Sequence, residues 1–100
     1  MFGKMNNSIW NKVFEELTMH DVTIKTTRFT DEKTIHPAEI CDECLFAYNY
    51  PENKILYKDI LYIKIDCPPE KASKIQKIGK MDSEYSQGVL YINGYWVGAM

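Results

Sequence analysis

Arginine, histidine and long apolar runs are scarce in this chain. Its twelve basic residues include a single arginine, Arg28, and there are two histidines. Because arginine supplies the planar fork that reads base edges and phosphates, this scarcity argues against sequence-specific recognition of nucleic acid. The longest apolar run, 44–48, has five residues, whereas a helix that spans a bilayer needs about 20. We therefore expect no membrane partner.

Glycine is also sparse, and its positions exclude the common phosphate-binding loops. The five glycines fit neither G-x-x-x-x-G-K nor G-x-G-x-x-G. No serine lies in a nucleophile-elbow context, and two histidines without a supporting motif offer little for acid–base chemistry. These absences predict a non-catalytic protein without a cofactor.

The overall composition is typical of one compact domain, residues 1–100. Hydrophobic residues make up 45% of the chain and charged residues 26%, with a formal net charge of −2. These values exclude wholesale disorder, the basic excess of a duplex-DNA binder and the acidic excess of a DNA mimic. Three cysteines, an odd number, without a secretory leader predict reduced thiols and a cytoplasmic location.

The first part of the chain contains one clear helix and one clear strand. Apolar residues recur at helical spacing after Ser8, a good N-cap residue, which predicts a helix over 8–18. The β-branched run Val22–Phe29 predicts a half-buried strand. A short extended piece is expected at Thr34–His36.

Residues 37–48 are compatible with two structures. As a helix, the segment has Pro37 at its first position, acidic residues early and one apolar stripe. As a strand, it shows alternating apolar residues only from Cys44 to Tyr50. We predict the helix.

The second half combines strands with one short helix. Residues 51–54 are predicted as a turn, and 55–65 as one long strand or two strands broken at 58–59. A helix is expected over 69–78, and Asn93-Gly94 between two β-rich arms predicts a tight hairpin. The fold is therefore predicted to be α+β: a small single domain with a mainly antiparallel sheet, two or three packed helices and a C-terminal β-hairpin.

Four residues resemble metal ligands: His36, Cys41, Cys44 and Cys67. The Cys-x-x-Cys pair with a histidine before it supplies three residue types that bind zinc, and Cys67 is a candidate fourth ligand. Small thiols on an apolar helical stripe, however, are more often buried structural residues. A zinc-stabilised domain is therefore an alternative hypothesis.

Four lysines without an intervening acid form what we call the lysine row: Lys71, Lys74, Lys77 and Lys80. Helical spacing places such residues on one basic face that is able to follow phosphates. The same pattern is also typical of a solvated helix face. Nucleic-acid binding through the lysine row is a second alternative hypothesis.

The C-terminal hairpin is the more suggestive surface. Both of its faces carry apolar residues, so one face can pack on the core while the other needs a covering helix or a partner. Tyrosine and tryptophan concentrate binding energy in protein interfaces, which makes Tyr91, Tyr95 and Trp96 the expected contact residues. The sequence thus predicts a small protein-interaction module, whose partner is another protein or a second copy. We expect a regulator or inhibitor of a larger host machine, of the kind that phages and mobile elements encode.

Overall fold

Two helices pack against antiparallel strands in the computed structural model of the chain, which describes residues 2–18, 20–28 and 30–97. The helices are α1 (Asn7–Glu15) and α2 (Pro69–Gln76). The strands are β1 (Phe2–Lys4), β2 (Val22–Thr26), β3 (Lys33–Ile35), β4 (Pro37–Ile40), β5 (Cys44–Ala47), β6 (Tyr50–Leu56), β7 (Ile60–Asp66), β8 (Asp82–Ser86), β9 (Val89–Asn93) and β10 (Tyr95–Val97). The predicted α+β class is confirmed. Neither helix is long and apolar enough to cross a membrane, among the residues described.

The described strands form three antiparallel sheets. These are a five-stranded sheet in the order β3-β2-β7-β9-β8, a three-stranded sheet in the order β4-β5-β6, and the pair β1-β10. The chain continues from β3 into β4 through His36, and from β6 into β7 through a 3₁₀ turn at Tyr57–Asp59. β2 pairs with both β3 and β7, so it is an inner strand of the five-stranded sheet, whose edge strands are β3 and β8.

One apolar cluster lies between the strands and the helices. The rings of Trp10 and Phe14 from α1 stack with their centroids 5.4 Å apart, and the Tyr57 ring lies 5.8 Å from Phe14. Ala72 and Ile75 of α2 are buried in the same cluster, as the helical spacing predicts. Burial of a large apolar side chain contributes roughly 1.5–3 kcal/mol relative to leaving it exposed, so this cluster is the main source of stability.

Both helices are close to their predicted positions. α1 begins at Asn7 because Asn6, rather than Ser8, is the N-cap: its side-chain oxygen accepts a hydrogen bond of 2.7 Å from the Ser8 amide. The long strand-like stretch is two strands, and the 3₁₀ turn at Tyr57–Asp59 separates them near the predicted break.

The predicted helix over 37–48 is wrong, because this segment forms β4, a turn and β5. The early acids that suggested a helix N-terminus lie at 39 in β4 and at 42–43 in the exposed turn. Leu45 is buried opposite Ile55 of β6, a contact that the local pattern does not reveal. The predicted turn at 51–54 is also wrong, because these residues lie inside β6.

The C-terminal hairpin is present, but its turn is not the predicted Asn93-Gly94. Gln87 and Gly88 have φ values of 52° and 81°, the positive values of a type I′ turn, and they join β8 to β9. Beyond Gly94 the chain leaves β9 and pairs with β1 instead. Gly94 is needed there because a Cβ atom would collide with the Ile60 carbonyl oxygen.

Candidate interaction surface

The two faces of the five-stranded sheet differ in what covers them. The apolar sides of both helices are buried in the core cluster together with the inward residues of the sheet, such as Ile24, Ile63 and Ile92. The opposite face is half-buried or exposed among the described residues. We call it the open face; strand register places Thr34, Thr23, Lys64, Tyr91 and Glu84 in one row across it, with Tyr62 beside them in β7.

Lys64 lies at the centre of the open face, and Glu32 balances its charge. The Lys64 Nζ atom is 2.8 Å from the Glu32 Oε2 atom, and the Tyr62 hydroxyl donates a 2.5 Å hydrogen bond to the same oxygen. The hydrogen bond from Lys64 lowers the pKa of Glu32 and raises that of Lys64 itself. Lys64 Nζ also lies 6.0 Å from the ring centroids of Tyr62 and Tyr91, at the outer limit of cation–π contact. These contacts hold the central side chains in place.

The three predicted contact residues belong to two different sheets. Tyr91 lies on the open face and is 39% exposed. Tyr95 lies in β10, is 40% exposed, and donates its hydroxyl hydrogen to the Lys58 carbonyl oxygen. The Trp96 backbone pairs with Gly3 of β1, whereas its side chain lies outside the described structure. Of the two whose side chains are described, Tyr91 lies on the open face and Tyr95 does not.

Tyr62 and Lys64 are open-face residues that the sequence analysis missed. They alternate with the buried Ile63 and Ile65 along β7. Because side chains of a strand point to opposite faces in turn, the apolar alternation in 55–65 contained the signal that places them opposite the core. No sequence pattern predicts that Tyr62 and Lys64 contact Glu32. Glu32 lies next to β3, which is separated from β7 in the sheet by β2.

A depression of about 300 Å³ at one end of the open face carries more acidic than basic side chains. Its lining includes the carboxylates of Asp21 and Asp66, the amine of Lys64 and the ring of Tyr91. Since Glu32 already balances Lys64, the depression offers carboxylates rather than free cations to a partner.

The lysine row is partly used inside the protein. The Nζ atoms of Lys71 and Lys74 each lie 3.3 Å from the Glu16 Oε1 atom and connect α2 to the residue that ends α1. Hydrogen bonds from Lys74 and Lys71 lower the pKa of Glu16. Lys77 is the C-cap of α2 and Lys80 follows it, both exposed. Half of the row is therefore paired with an acid.

The structure brings together two of the four candidate metal ligands. Cys41 and Cys44 face each other across the turn between β4 and β5, where the Cys41 amide donates a 2.8 Å hydrogen bond to the Cys44 carbonyl. His36 precedes β4, at its opposite end, with its Nδ1 atom 3.0 Å from Asp21 Oδ1. Cys67 follows β7, and its backbone amide donates a 3.0 Å hydrogen bond to the Gly88 carbonyl oxygen. Within the described residues, no three His, Cys, Asp or Glu side chains are grouped to hold a metal ion.

No protein-family model, curated protein or solved structure matches this chain.

Proposed function

We propose that this chain is a small, non-catalytic protein-interaction module that binds a protein partner through the open face. The observation that supports it most strongly is the exposed ring of Tyr91, which stands beside Lys64 on a sheet whose other face is buried. β9 pairs with both β7 and β8, so the backbone of Tyr91 is held on both sides. A large aromatic side chain on a rigid scaffold loses little entropy on binding and is typical of interface hot spots.

The charges of the open face favour a protein over a nucleic acid. A phosphate chain would meet the carboxylates of Asp21 and Asp66, and the Lys64 amine is already paired with Glu32. Lys71 and Lys74, which would have to track phosphates, are paired with Glu16. A protein surface that carries basic residues complements this pattern better.

A cytoplasmic location belongs to the same proposal. None of the three cysteines forms a disulfide, although Cys41 and Cys44 face each other across a turn. Free thiols are usual in a reducing compartment. Regulation or inhibition of a larger host machine is the form of activity we expect from such a module.

The proposal is tested by affinity capture from the expression host with matched tyrosine variants. Tyr91→Ala removes the open-face ring, and Tyr48→Ala removes a ring that is 71% exposed in the turn after β5. We expect the wild type and Tyr48→Ala to capture the same partner, and Tyr91→Ala to bind it about tenfold more weakly or worse. Circular dichroism should be unchanged in both variants, and thermal melts should show that both remain folded at the temperature of the binding assay.

Two outcomes would contradict the proposal. One is capture of the partner by Tyr91→Ala with wild-type affinity. The other is a partner that proves to be nucleic acid, bound with a steep salt dependence that is lost when Lys77 and Lys80 are replaced by alanine. If sedimentation shows a dimer that Tyr91→Ala dissociates, the partner is a second copy of this chain.

A further inference from the structure

A second concave region lies between the end of β2, the strand β6 and the 3₁₀ turn. Its cavity of about 390 Å³ is lined by residues that include Thr26, Arg28, Tyr50, Lys54, Ile55 and Asp59. Small-molecule sites generally have volumes of roughly 300–1,000 Å³. The cavity shares no lining residue with the depression on the open face, so it is a separate feature.

The only arginine of the chain lines this cavity and is oriented by a carboxylate. The Arg28 Nε atom donates a 2.9 Å hydrogen bond to Asp59 Oδ2, and the Asp59 side chain is only 17% exposed. The Arg28 side chain is 73% exposed. Since the described hydrogen bond from this guanidinium uses Nε, its two Nη groups remain available as donors in a planar fork, the geometry that matches a carboxylate or a phosphate.

Two further groups give the cavity the character of an anion site. Thr26 is buried, and its Oγ1 atom accepts a 3.1 Å hydrogen bond from the Arg28 amide, which leaves its hydroxyl hydrogen as a donor. Lys54 adds a second cation. Against these stands the single carboxylate of Asp59, so the lining has a net positive charge while the protein as a whole is acidic.

We infer that this cavity binds a small organic anion. The guanidinium of Arg28 holds its phosphate or carboxylate group, Lys54 and the Thr26 hydroxyl assist, and the organic body lies along the half-buried side chain of Leu56. An inorganic ion alone would leave most of the cavity empty. The inference is independent of the proposed protein partner, because it uses no residue of the open face.

The test is a titration followed by two-dimensional NMR of backbone amides, with phenyl phosphate, benzoate and inorganic phosphate as probes. We expect saturable shifts confined to the amides of 26–28 and 54–59. Phenyl phosphate or benzoate should bind more tightly than inorganic phosphate, and whichever of the two is tighter identifies the preferred anionic group. Tyr91→Ala should bind the probes as the wild type does.

Substitutions test which side chains of the cavity bind the anionic probes. Arg28→Lys keeps the charge but removes the fork, and should weaken binding about tenfold or more. Lys54→Ala should weaken it severalfold, whereas Lys58→Ala, which removes an exposed lysine that does not line the cavity, should change nothing. A thermal melt of each variant checks folding; if Arg28→Lys does not fold, the comparison of Lys54→Ala with Lys58→Ala decides.

The inference is overturned by any of three results. These are the absence of shifts up to about 10 mM of every probe, equal affinity for inorganic phosphate and both organic anions, and equal effects of the Lys54→Ala and Lys58→Ala variants.

Discussion

Tyr91 and Ile92 are consecutive residues of β9 in opposite environments. Ile92 is fully buried opposite Ile63 of β7, whereas Tyr91 is 39% exposed beside Lys64. Side chains alternate along a strand, so one step along the chain moves from the core to the open face. The same strands thus supply stability with one set of residues and the proposed recognition surface with the other. The two properties should therefore be separable by mutation.

The largest expected effect is a difference in the free energy of unfolding between the alanine variants of Ile92 and Tyr91. Ile92→Ala leaves a cavity in the core and should lower the free energy of unfolding by about 2–5 kcal/mol. Tyr91→Ala removes strand propensity and partial packing, and should cost about 1 kcal/mol or less. Urea unfolding followed by tryptophan fluorescence measures both. Equal losses of unfolding free energy in the two variants would show that Tyr91 is a structural residue.

The place where β9 ends depends on Gly94. Its amide donates a 2.8 Å hydrogen bond to the Leu61 carbonyl, and an added Cβ atom would collide with the Ile60 carbonyl oxygen. Gly94→Ala should therefore shift β9 against β7 and cost about 1–3 kcal/mol. Gly88→Asn is the control, because Gly88 has open space around it and a φ of 81° that asparagine tolerates. A thermal melt in which the two variants are equally stable would refute this role of Gly94.

Tyr57 should make the stability of the protein sensitive to high pH. Its hydroxyl donates a hydrogen bond of 2.6 Å to Asn11 Oδ1 and also lies 3.2 Å from the Cys41 carbonyl oxygen. Burial raises the pKa of Tyr57 above its ordinary value of 10, so the stability it contributes is present below about pH 10 and is lost as the pH rises further.

Tyr57→Phe removes this titrating group. The variant should lose about 1–2 kcal/mol at neutral pH, because Asn11 and the Cys41 carbonyl lose a partner. Its unfolding free energy should then fall less steeply than that of the wild type above about pH 10. The unfolding free energies of both proteins are measured by urea unfolding at several pH values above about 10. If they fall equally with pH, the ionisation of Tyr57 does not affect stability.

The smallest effect is expected on the open face itself. The pKa of Glu32 is lowered from its ordinary value of 4.5, chiefly by its hydrogen bond with Lys64, so its contribution is present above that value and is lost as the pH falls. Glu32→Gln should slightly reduce the drop in Tm between about pH 6 and 3. Glu84→Gln, on the same face but in the edge strand β8, is the matched control. A Glu32 variant with the wild-type acid profile would show that the pair with Lys64 contributes nothing to folding.

Several elements could be predicted because their signals are local. The apolar stripe of α1, with Trp10 and Phe14, and that of α2, with Ala72 and Ile75, faces the core as the spacing indicates. The alternation of Ile63 and Ile65 in β7 likewise marks a strand. In each case a few neighbouring residues suffice, because helical and extended backbones repeat over 3.6 and 2 residues.

The wrong predictions concern segments whose structure depends on pairing with strands that are distant in the sequence. Residues 37–48 satisfy helix rules locally, but β5 pairs with both β4 and β6, and Leu45 is buried opposite Ile55. Asn93-Gly94 has the composition of a hairpin turn, yet β9 pairs with β7 and β8, and β10 pairs with β1. Backbone hydrogen bonds to strands remote in sequence outweigh such local preferences.

Local sequence patterns were sufficient to predict the α+β class and both helices, and they also show the scarcity of catalytic motifs. The tertiary structure alone decided the neighbours of these residues. It placed Lys64 beside both Tyr91 and Glu32, paired half of the lysine row with Glu16, and set Arg28 against Asp59 at a cavity. The physical reason is that strand register and helix packing join residues far apart in the chain, and no local repeat records that pairing.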